Sequence, residues 1–404
     1  MFGSFVLLTT IKNLRGGGIK MEGIEKSHAN AVLAAILKST YAFWQSTVEE
    51  ALRPILKYGK SDTLGMDAMA EITIIETLQE YDHLSAIITE EAGGRGKMNF
   101  PHPIDHHSFR TVFISDPTDR SSQLKAALES TTDKTQSILE TMDTSEFKEM
   151  WEKKYGAPLS ITGGSSAITC VRRGIPIFSV VVNYITRQLF LACSAGCYMY
   201  QLPAEPVKLD VESILAGGEN IFFHNSCQTS HMRHFTTFMG KSGYKENFID
   251  SHFMSEEDMV NNLKYDLPGG PSRALYLSKL QPLKDQIGFV FANGEKITEW
   301  IHWLPFLRFA RKKDDQGEAA LRLFEVYQDQ PYTKEGILMS TPPAYSIFQP
   351  VNGDGRMVIS VDKFDSFANP SKIRATLILT LADNNWATRA VNQYGYRPIE
   401  FYSE

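Results

Sequence analysis

The chain has 404 residues, of which 43% are hydrophobic and 22% are charged, and its formal net charge at pH 7 is −6. This composition is typical of a globular protein with one large or two ordinary cores, and it argues against intrinsic disorder. The acidic balance and the lack of a basic block argue against nucleic acid as a partner. No run of about 18 apolar residues is present, so no membrane span is predicted, and the first apolar run is too short for a signal peptide.

Two long helices are predicted near the start of the chain. Apolar side chains recur at roughly helical spacing from about residue 28 to 57 and again from about residue 66 to 81. The segment Gly59–Asp62 separates them. Asp67 therefore lies at the beginning of the second predicted helix.

Acidic pairs follow the next two apolar runs. Residues 84–89 predict a short strand that ends on Glu90 and Glu91, and residues 109–115 predict a second strand that ends on Asp116 and Asp119. Carboxylates fixed at the ends of strands are the ligands that a hard cation such as Mg²⁺ prefers. An acidic pair in a loop is more often a solvated turn, and Asp-Pro-Thr-Asp is a good turn sequence. Two such pairs together with Asp67 favour the cation site.

A helix start follows the second acidic pair directly. Residues 121–128 are typical of a capped helix, and its N-terminus is a place where a phosphate can bind. The backbone amides of Arg120 and Ser121 are candidates to receive that phosphate, and the Ser121 hydroxyl could pass a hydrogen bond to a water. Asp67 could hold or orient the same water. These features together predict metal-assisted phosphate chemistry.

The remaining chain predicts an α+β fold. Residues 131–154 are polar and helix-prone, which is typical of a solvated insertion, and residues 166–201 predict a four-stranded antiparallel meander. The composition shifts near Pro203–Pro206, so we divide the chain into an N-terminal extension (1–27), an α+β subdomain with the metal-ligand motifs (28–205) and a C-terminal α/β subdomain (206–404). Strands are predicted at 220–224, 288–292 and 374–381, and helices at about 271–280 and 384–394.

The order of these motifs resembles that of the inositol monophosphatase and fructose bisphosphatase superfamily of magnesium-dependent, lithium-sensitive sugar phosphatases. That family carries Asp-Pro-hydrophobic-Asp-Gly-Thr after a Glu-Glu pair, and a strand meander follows. The chain has its counterparts at the positions 60–62, 67, 90–91 and 116–121, in the meander, at Gly269–Leu275, and in the strand and helix from Thr376 onward.

The resemblance implies a layered α-β-α-β-α sandwich and a magnesium-dependent phosphomonoesterase acting on a small sugar, inositol or nucleotide phosphate. It also allows a homodimer. The implied site residues fall into three groups: metal ligands Glu90, Glu91, Asp116, Asp119 and the Thr118 carbonyl; Asp67 and Ser121 beside the attacking water; and Arg120, Ser121, Ser122 and Arg273 at the phosphate or substrate.

Two departures from the family pattern bear on function. Arg120 and Ser121 stand where the family has Gly-Thr; serine keeps a hydroxyl, whereas arginine lacks the backbone freedom of glycine but could point a guanidinium at phosphate.

In the family's Trp-Asp-x-Ala motif the Asp binds a second metal ion. The nearest match here begins at Trp300 and places Ile301 at the Asp position, and Glu299 or His302 could replace that ligand only after a register shift. The alternative function is therefore a phosphatase-like protein that binds a phosphorylated ligand or partner without turnover.

Other patterns carry weaker functional predictions. The cysteines at 170, 193, 197 and 227 show no zinc spacing, so buried free thiols are favoured over a disulfide, which fits a cytoplasmic protein. The cluster around His102, Asp105 and His106 could bind a transition metal, but its spacing fits no standard pattern. Gly93–Lys97 lacks the following helix of a phosphate-binding loop, and a plain loop is the favoured interpretation.

Overall fold

The computed structural model describes residues 23–55, 58, 63–82, 85–90, 111–155, 159, 163–220, 289–309, 321–325, 332–334, 337–339, 348–350, 356–359, 374–381 and 397–399. The described helices are α1 (Gly23–Gln45), α2 (Val48–Leu52), α3 (Gly65–Tyr81), α4 (Ser121–Glu129), α5 (Ile138–Asp143), α6 (Ser145–Tyr155), α7 (Val211–Gly217), α8 (Ile297–Trp300) and α9 (Trp303–Phe309). The described strands are β1 (Ala86–Thr89), β2 (Thr111–Asp119), β3 (Ser165–Arg172), β4 (Ile175–Asn183), β5 (Gln188–Cys193), β6 (Gly196–Gln201), β7 (Glu219–Asn220), β8 (Phe289–Lys296), β9 (Leu321–Glu325), β10 (Tyr332–Lys334), β11 (Ile337–Met339), β12 (Phe348–Pro350), β13 (Met357–Ile359), β14 (Arg374–Leu381) and β15 (Arg397–Ile399).

A seven-stranded sheet forms the centre of the first half, in the order β1-β2-β3-β4-β5-β6-β7. β1 and β2 are parallel, and every later neighbour is antiparallel. The predicted meander is confirmed as β3 to β6. Arg173 and Gly174 join β3 to β4 with φ angles of 50° and 78°, the positive values that a tight two-residue hairpin requires.

One face of this sheet carries the main core. Alternate side chains of β2 to β5 point to that face and pack on the helices α1 and α3, and side chains of α5 and α6 belong to the same core. Six of the seven largest fully buried side chains of the described residues lie there: Trp44, Trp151, Tyr184, Phe43, Phe113 and Phe178. Burying aromatic side chains of this size contributes about 1.5–3 kcal/mol each, which is why this layer dominates stability.

The opposite face of the sheet packs on α8 and α9. These two helices also contact a second, four-stranded sheet of order β15-β9-β14-β8. The described part of the chain therefore has the layers helix, sheet, helix and sheet, which confirms the α+β class. The helix predicted over 384–394, which would supply the fifth layer, lies outside the described residues.

The first predicted helix is wrong in length. Helix α1 ends at Gln45 instead of Lys57, and the separate helix α2 begins after Thr47. The Thr47 side chain accepts from the backbone N–H of Glu50, and the Glu50 carboxylate accepts from Thr47, so a capping box starts a new helix there. The second prediction is confirmed by α3, which spans residues 65–81.

Residues 131–154 are not merely a solvated insertion. They form α5 and α6, and the side chains of Ile138, Phe147 and Trp151 lie in the core. Backbone hydrogen bonds from Val48 to Gln136 and from Ile138 to Ser46 join the segment to the turn between α1 and α2. Charged residues dominate this stretch, so its few apolar side chains gave no clear helical pattern in the sequence. Tertiary packing buries those side chains.

The remaining predictions have mixed outcomes. The strand over 374–381 is confirmed as β14, β8 extends beyond the predicted 288–292, and only residue 220 of the strand predicted over 220–224 is described, in β7. The helix predicted over 271–280 lies outside the described residues. Three described cysteines, at 170, 193 and 197, are free and buried, as predicted. Among the described helices, none is long and apolar enough to cross a membrane.

Candidate functional site

Strand β2 continues through the predicted acidic turn. Asp116 pairs with Ala167 of β3, the register then shifts, and Asp119 pairs with Ser165. Between these pairs, Pro117 and Thr118 of β2 lie opposite the single residue Ser166 of β3, so β2 has one extra residue. Proline has no N–H to give to a ladder and is tolerated where pairing is interrupted. We call residues 116–119 the acid bulge. Bulges re-aim side chains at the ends of strands, and this one holds Asp116 at only 1% exposure.

Glu90 lies beside the acid bulge. Thr89 pairs with Ser115 in the parallel ladder between β1 and β2, so Glu90 and Asp116 are the residues that follow this last pair. The backbone therefore brings residues 90 and 116 next to each other. Glu91 lies outside the described residues. Among those residues, no group of three His, Cys, Asp or Glu side chains is close enough to hold a metal ion.

Asp67 lies in the first turn of α3 and is 3% exposed. Its Oδ2 accepts a hydrogen bond from the Leu64 backbone N–H at 3.1 Å, which fixes the carboxylate at the helix N-terminus, where the helix dipole favours negative charge. Glu71, one turn later on the same side of the helix, is also fully buried and accepts from the Tyr58 hydroxyl at 2.7 Å. Helix α3 therefore carries two buried carboxylates, of which sequence reasoning identified only the first.

Tyr184 joins these acidic segments, and sequence reasoning missed it. Its hydroxyl donates to the Pro117 carbonyl oxygen at 2.7 Å, in the middle of the acid bulge. Burial raises the pKa of Tyr184 well above its usual value, nearby hydroxyls oppose that shift, and the carboxylates of Asp116 and Asp67 add to it. Helix α3 packs against β2, so Asp67 and Asp116 lie on two elements that contact each other. The only local signal was a large aromatic residue within the polar turn that follows β4.

Arg120 adopts the backbone conformation expected of the glycine that the family has there. Its φ and ψ are 64° and 30°, in the left-handed region, and its side chain is 8% exposed. A non-glycine residue in this region costs on the order of 1 kcal/mol. The chain therefore keeps the turn between the acid bulge and α4 while placing a buried guanidinium beside it.

Helix α4 begins at Ser121, directly behind the acid bulge. The predicted helix is confirmed, but it has no side-chain cap: Arg120 occupies the N-cap position and makes no side-chain capping bond. The left-handed backbone of Arg120 turns the chain directly from β2 into the helix. Ser121 is partly buried and Ser122 is exposed, so Ser121 is the better placed of the two at the helix N-terminus.

Ile301 and His302 do not supply a further cation ligand. Ile301 is fully buried. Nε2 of His302 lies 2.7 Å from the Thr298 carbonyl oxygen and Nδ1 lies 2.7 Å from Oγ1 of Thr169, so both ring nitrogens are engaged. Burial lowers the pKa of His302 to about 3, which makes the ring neutral at pH 7. The Glu299 side chain, Arg273, residues 93–97 and the cluster at 102–107 lie outside what the structure describes.

A cavity of about 260 Å³ lies away from the acid bulge. It is lined by Glu25, Arg172, Ile175, Ile177, Ser194, Arg308 and Phe309. Arg172 ends β3 and pairs with Thr111 at the beginning of β2, whereas the acid bulge lies at the other end of that strand pair. The cavity is therefore not part of the candidate site.

No protein-family model and no curated protein matches the chain. Solved structures to which it is similar include CysQ from Bacteroides thetaiotaomicron, titled a bacterial member of the inositol monophosphatase family (10% identity, 89% of this chain and 98% of that chain, TM-score 0.41). Others are a hypothetical protein from Pyrococcus horikoshii with similarities for inositol-1 monophosphatase (12%, 85% and 88%, TM-score 0.40) and a staphylococcal IMPase-II (13%, 81% and 81%, TM-score 0.37).

Proposed function

We propose that the chain is a magnesium-dependent phosphomonoesterase that hydrolyses a small sugar, inositol or nucleotide phosphate. One observation supports the proposal: Glu90 and Asp116 follow the last paired residues of the neighbouring segments β1 and β2, and α4 begins directly after the acid bulge. Asp116 and Asp67 are buried carboxylates, which are costly unless a cation or hydrogen bonds offset their charge.

The donor set fits a hard cation. Carboxylate and carbonyl oxygens suit Mg²⁺, which commonly keeps several waters and takes one or two protein carboxylates together with substrate phosphate. Asp116 would hold the ion with Glu90 or Asp119, and the Thr118 carbonyl would be a further ligand. When bound, the cation would polarise the phosphate and lower the pKa of a bound water.

The other residues position the reactants. The Leu64 N–H holds the Asp67 carboxylate in one orientation, from which it would orient the attacking water. Ser121 would pass a hydrogen bond to that water, and the first amides of α4 would receive the phosphate. The Arg120 guanidinium would add charge-assisted hydrogen bonds to the phosphate oxygens, and Ser122, Glu91 and Arg273 complete the proposed set.

The remaining parts of the proposal follow from composition. The partner is a small phosphorylated molecule, and the net charge of −6 disfavours nucleic acid. The buried free thiols fit a reducing compartment, and we place the protein in the cytoplasm.

A second function is favoured by residues 301 and 302. An isoleucine stands where the family's second-metal Asp would be, and both nitrogens of the neighbouring histidine are engaged. A chain with an incomplete metal set would bind a phosphorylated ligand or partner without hydrolysing it. The two functions differ in turnover and agree in phosphate binding.

The test is phosphate release from a panel of sugar, inositol and nucleotide phosphates, with and without Mg²⁺. We expect magnesium-dependent release from at least one compound and its loss in Asp116→Asn and Asp119→Asn. Glu152→Gln, an exposed charge on α6, is the matched control for a lost carboxylate. Full activity in Asp119→Asn would refute the assignment, and ligand binding without release would favour the second function.

A further inference from the structure

Tyr184 is held rigidly at the end of β4 by three contacts with its surroundings. Its backbone N–H donates to the Gly164 carbonyl at 2.9 Å, and its carbonyl accepts from Nε1 of Trp44 at 3.1 Å. Its ring lies 4.4 Å, centroid to centroid, from the ring of Phe43. The backbone is therefore fixed by the residue that precedes β3, backbone and ring are fixed by α1, and the side chain is fully buried.

The hydroxyl of this fixed ring reaches the acid bulge. It donates to the Pro117 carbonyl oxygen at 2.7 Å, across 67 residues of sequence. Pro117 lies within the interrupted part of the ladder between β2 and β3, where no pairing between these strands holds the chain. A buried carbonyl there needs a donor, and the Tyr184 hydroxyl supplies it.

This one hydrogen bond orients the groups on either side of it. The peptide unit is planar, so fixing the Pro117 carbonyl also fixes the direction of the Thr118 N–H and restricts the rotation of the bulge between Asp116 and Asp119. The carboxylates of Asp116 and Asp119 flank that plane in sequence. A rotation of the bulge would turn both away from a shared cation.

We infer that Tyr184 is a positioning residue that holds the acid bulge in its cation-binding conformation. The inference rests on the proposed function, since the cation is the one proposed there. Tyr184 acts through Pro117, and its ring faces the core beside α1, so it is not itself a catalytic group. Outer-shell hydrogen bonds of this kind typically change metal affinity 10–100-fold when removed.

Tyr41 provides a matched control. It too is a buried tyrosine of the first half, 5% exposed, and its hydroxyl donates to a proline carbonyl, that of Pro203, at 3.1 Å. Pro203 follows β6 and is not part of the acid bulge. Tyr41→Phe and Tyr184→Phe therefore remove the same atom and the same type of hydrogen bond from two different places.

The experiment is calorimetric titration of the full chain with Mg²⁺ alone, for the wild type, Tyr184→Phe, Tyr41→Phe and Asp116→Asn. We expect the Mg²⁺ dissociation constant to rise about 10–100-fold in Tyr184→Phe and to stay within about twofold in Tyr41→Phe. Melting temperatures without Mg²⁺ show whether the two phenylalanine variants lose comparable stability. Asp116→Asn, which should abolish the heat of binding, shows that the titrated site is the acid bulge.

The outcomes separate the inference from the proposed function. Unchanged Mg²⁺ affinity in Tyr184→Phe, with normal binding by the wild type, overturns the inference and leaves the proposed function standing. Equal weakening in both phenylalanine variants also overturns it, because the effect would then be a general loss of stability. No Mg²⁺ binding by the wild type at millimolar concentration overturns the proposed function and the inference together.

Discussion

Nδ1 of His302 lies 2.7 Å from Oγ1 of Thr169, and this contact ties the second half of the chain to strand β3. Nε2 lies 2.7 Å from the carbonyl oxygen of Thr298, which can only accept, so Nε2 carries the ring proton. The neutral ring then accepts at Nδ1 from the Thr169 hydroxyl. Because the ring sits between the two sheets, its protonation state affects their packing.

Stability should fall on acidification through His302. Its pKa is about 3 in the folded chain and about 6.5 when unfolded, so between these values the unfolded state binds the extra proton. The stability that the neutral His302 ring contributes is fully present above pH 6.5. As the pH falls toward 3, the free energy of unfolding decreases by up to about 1.4 kcal/mol per pH unit. Urea unfolding at pH 7.5, 6 and 5 measures it.

The same experiment on His302→Gln isolates that contribution. Glutamine keeps a donor and an acceptor but does not titrate. At pH 7.5 the free energy of unfolding of the variant should be lower than that of the wild type by about 1–3 kcal/mol, because its hydrogen bonds are imperfect. This difference should be smaller at pH 5, where the wild type has lost stability. A deficit that stays constant between pH 7.5 and pH 5 would show that His302 is not the titrating group.

Arg120→Gly should separate phosphate binding from backbone strain. Glycine suits the left-handed backbone at this position, so folding should not suffer from the turn itself. Loss of the guanidinium should raise KM about 10–100-fold, since a charge-assisted hydrogen bond contributes about 1.5–3 kcal/mol. Steady-state kinetics on the substrate that the panel identifies gives KM and kcat separately.

Arg173→Gly is the control for that substitution. Arg173 also has a positive φ, 50°, but it lies exposed in the β3–β4 hairpin at the other end of the strand pair from the acid bulge. Its replacement should leave KM unchanged. If Arg120→Gly kept a wild-type KM, the guanidinium would have no role at the phosphate.

Gly65→Ala should damage the site through the position of α3. A Cβ at residue 65 would lie 2.1 Å from the backbone carbonyl oxygen of Glu50, so α2 and α3 would have to separate. Because Asp67 lies in the same turn, we expect a lower melting temperature and weaker Mg²⁺ binding. Thermal unfolding with and without Mg²⁺ measures both.

Gly217→Ala is the comparison for Gly65→Ala. A Cβ there would meet a ring carbon of Tyr200 at 3.4 Å, at the limit of ordinary contact. The variant should keep its magnesium-induced stabilisation. Gly65→Ala with unaltered Mg²⁺ binding would contradict the role of α3 in placing Asp67.

Mg²⁺ should stabilise the wild type and fail to stabilise Asp116→Asn. A ligand that binds only the folded state adds about 2.7 kcal/mol at one hundred times its dissociation constant. Removing one negative charge from a buried acidic region lowers repulsion, so Asp116→Asn without Mg²⁺ should be at least as stable as the wild type. If Mg²⁺ stabilised Asp116→Asn as much as the wild type, the cation would bind at another site.

Local sequence determined those features that depend on neighbours along the chain. Alternation of side chains predicted the meander and β14, helical periodicity predicted α3, and two apolar runs predicted β1 and the first part of β2. The break between α1 and α2 also had a local signal, the capping box of Thr47 and Glu50, which the apolar periodicity of that segment obscured.

Only the tertiary structure decided how the site is held. β2 runs on to Asp119 because β3 supplies ladder partners, and no pattern within residues 111–119 indicates that pairing. The bond from Tyr184 to Pro117 and that from His302 to Thr169 cross 67 and 133 residues. Hydrogen bonds and burial between distant segments depend on which segments the fold brings together, so the sequence predicted the acidic residues, whereas only the tertiary structure shows the contacts of Tyr184 and His302.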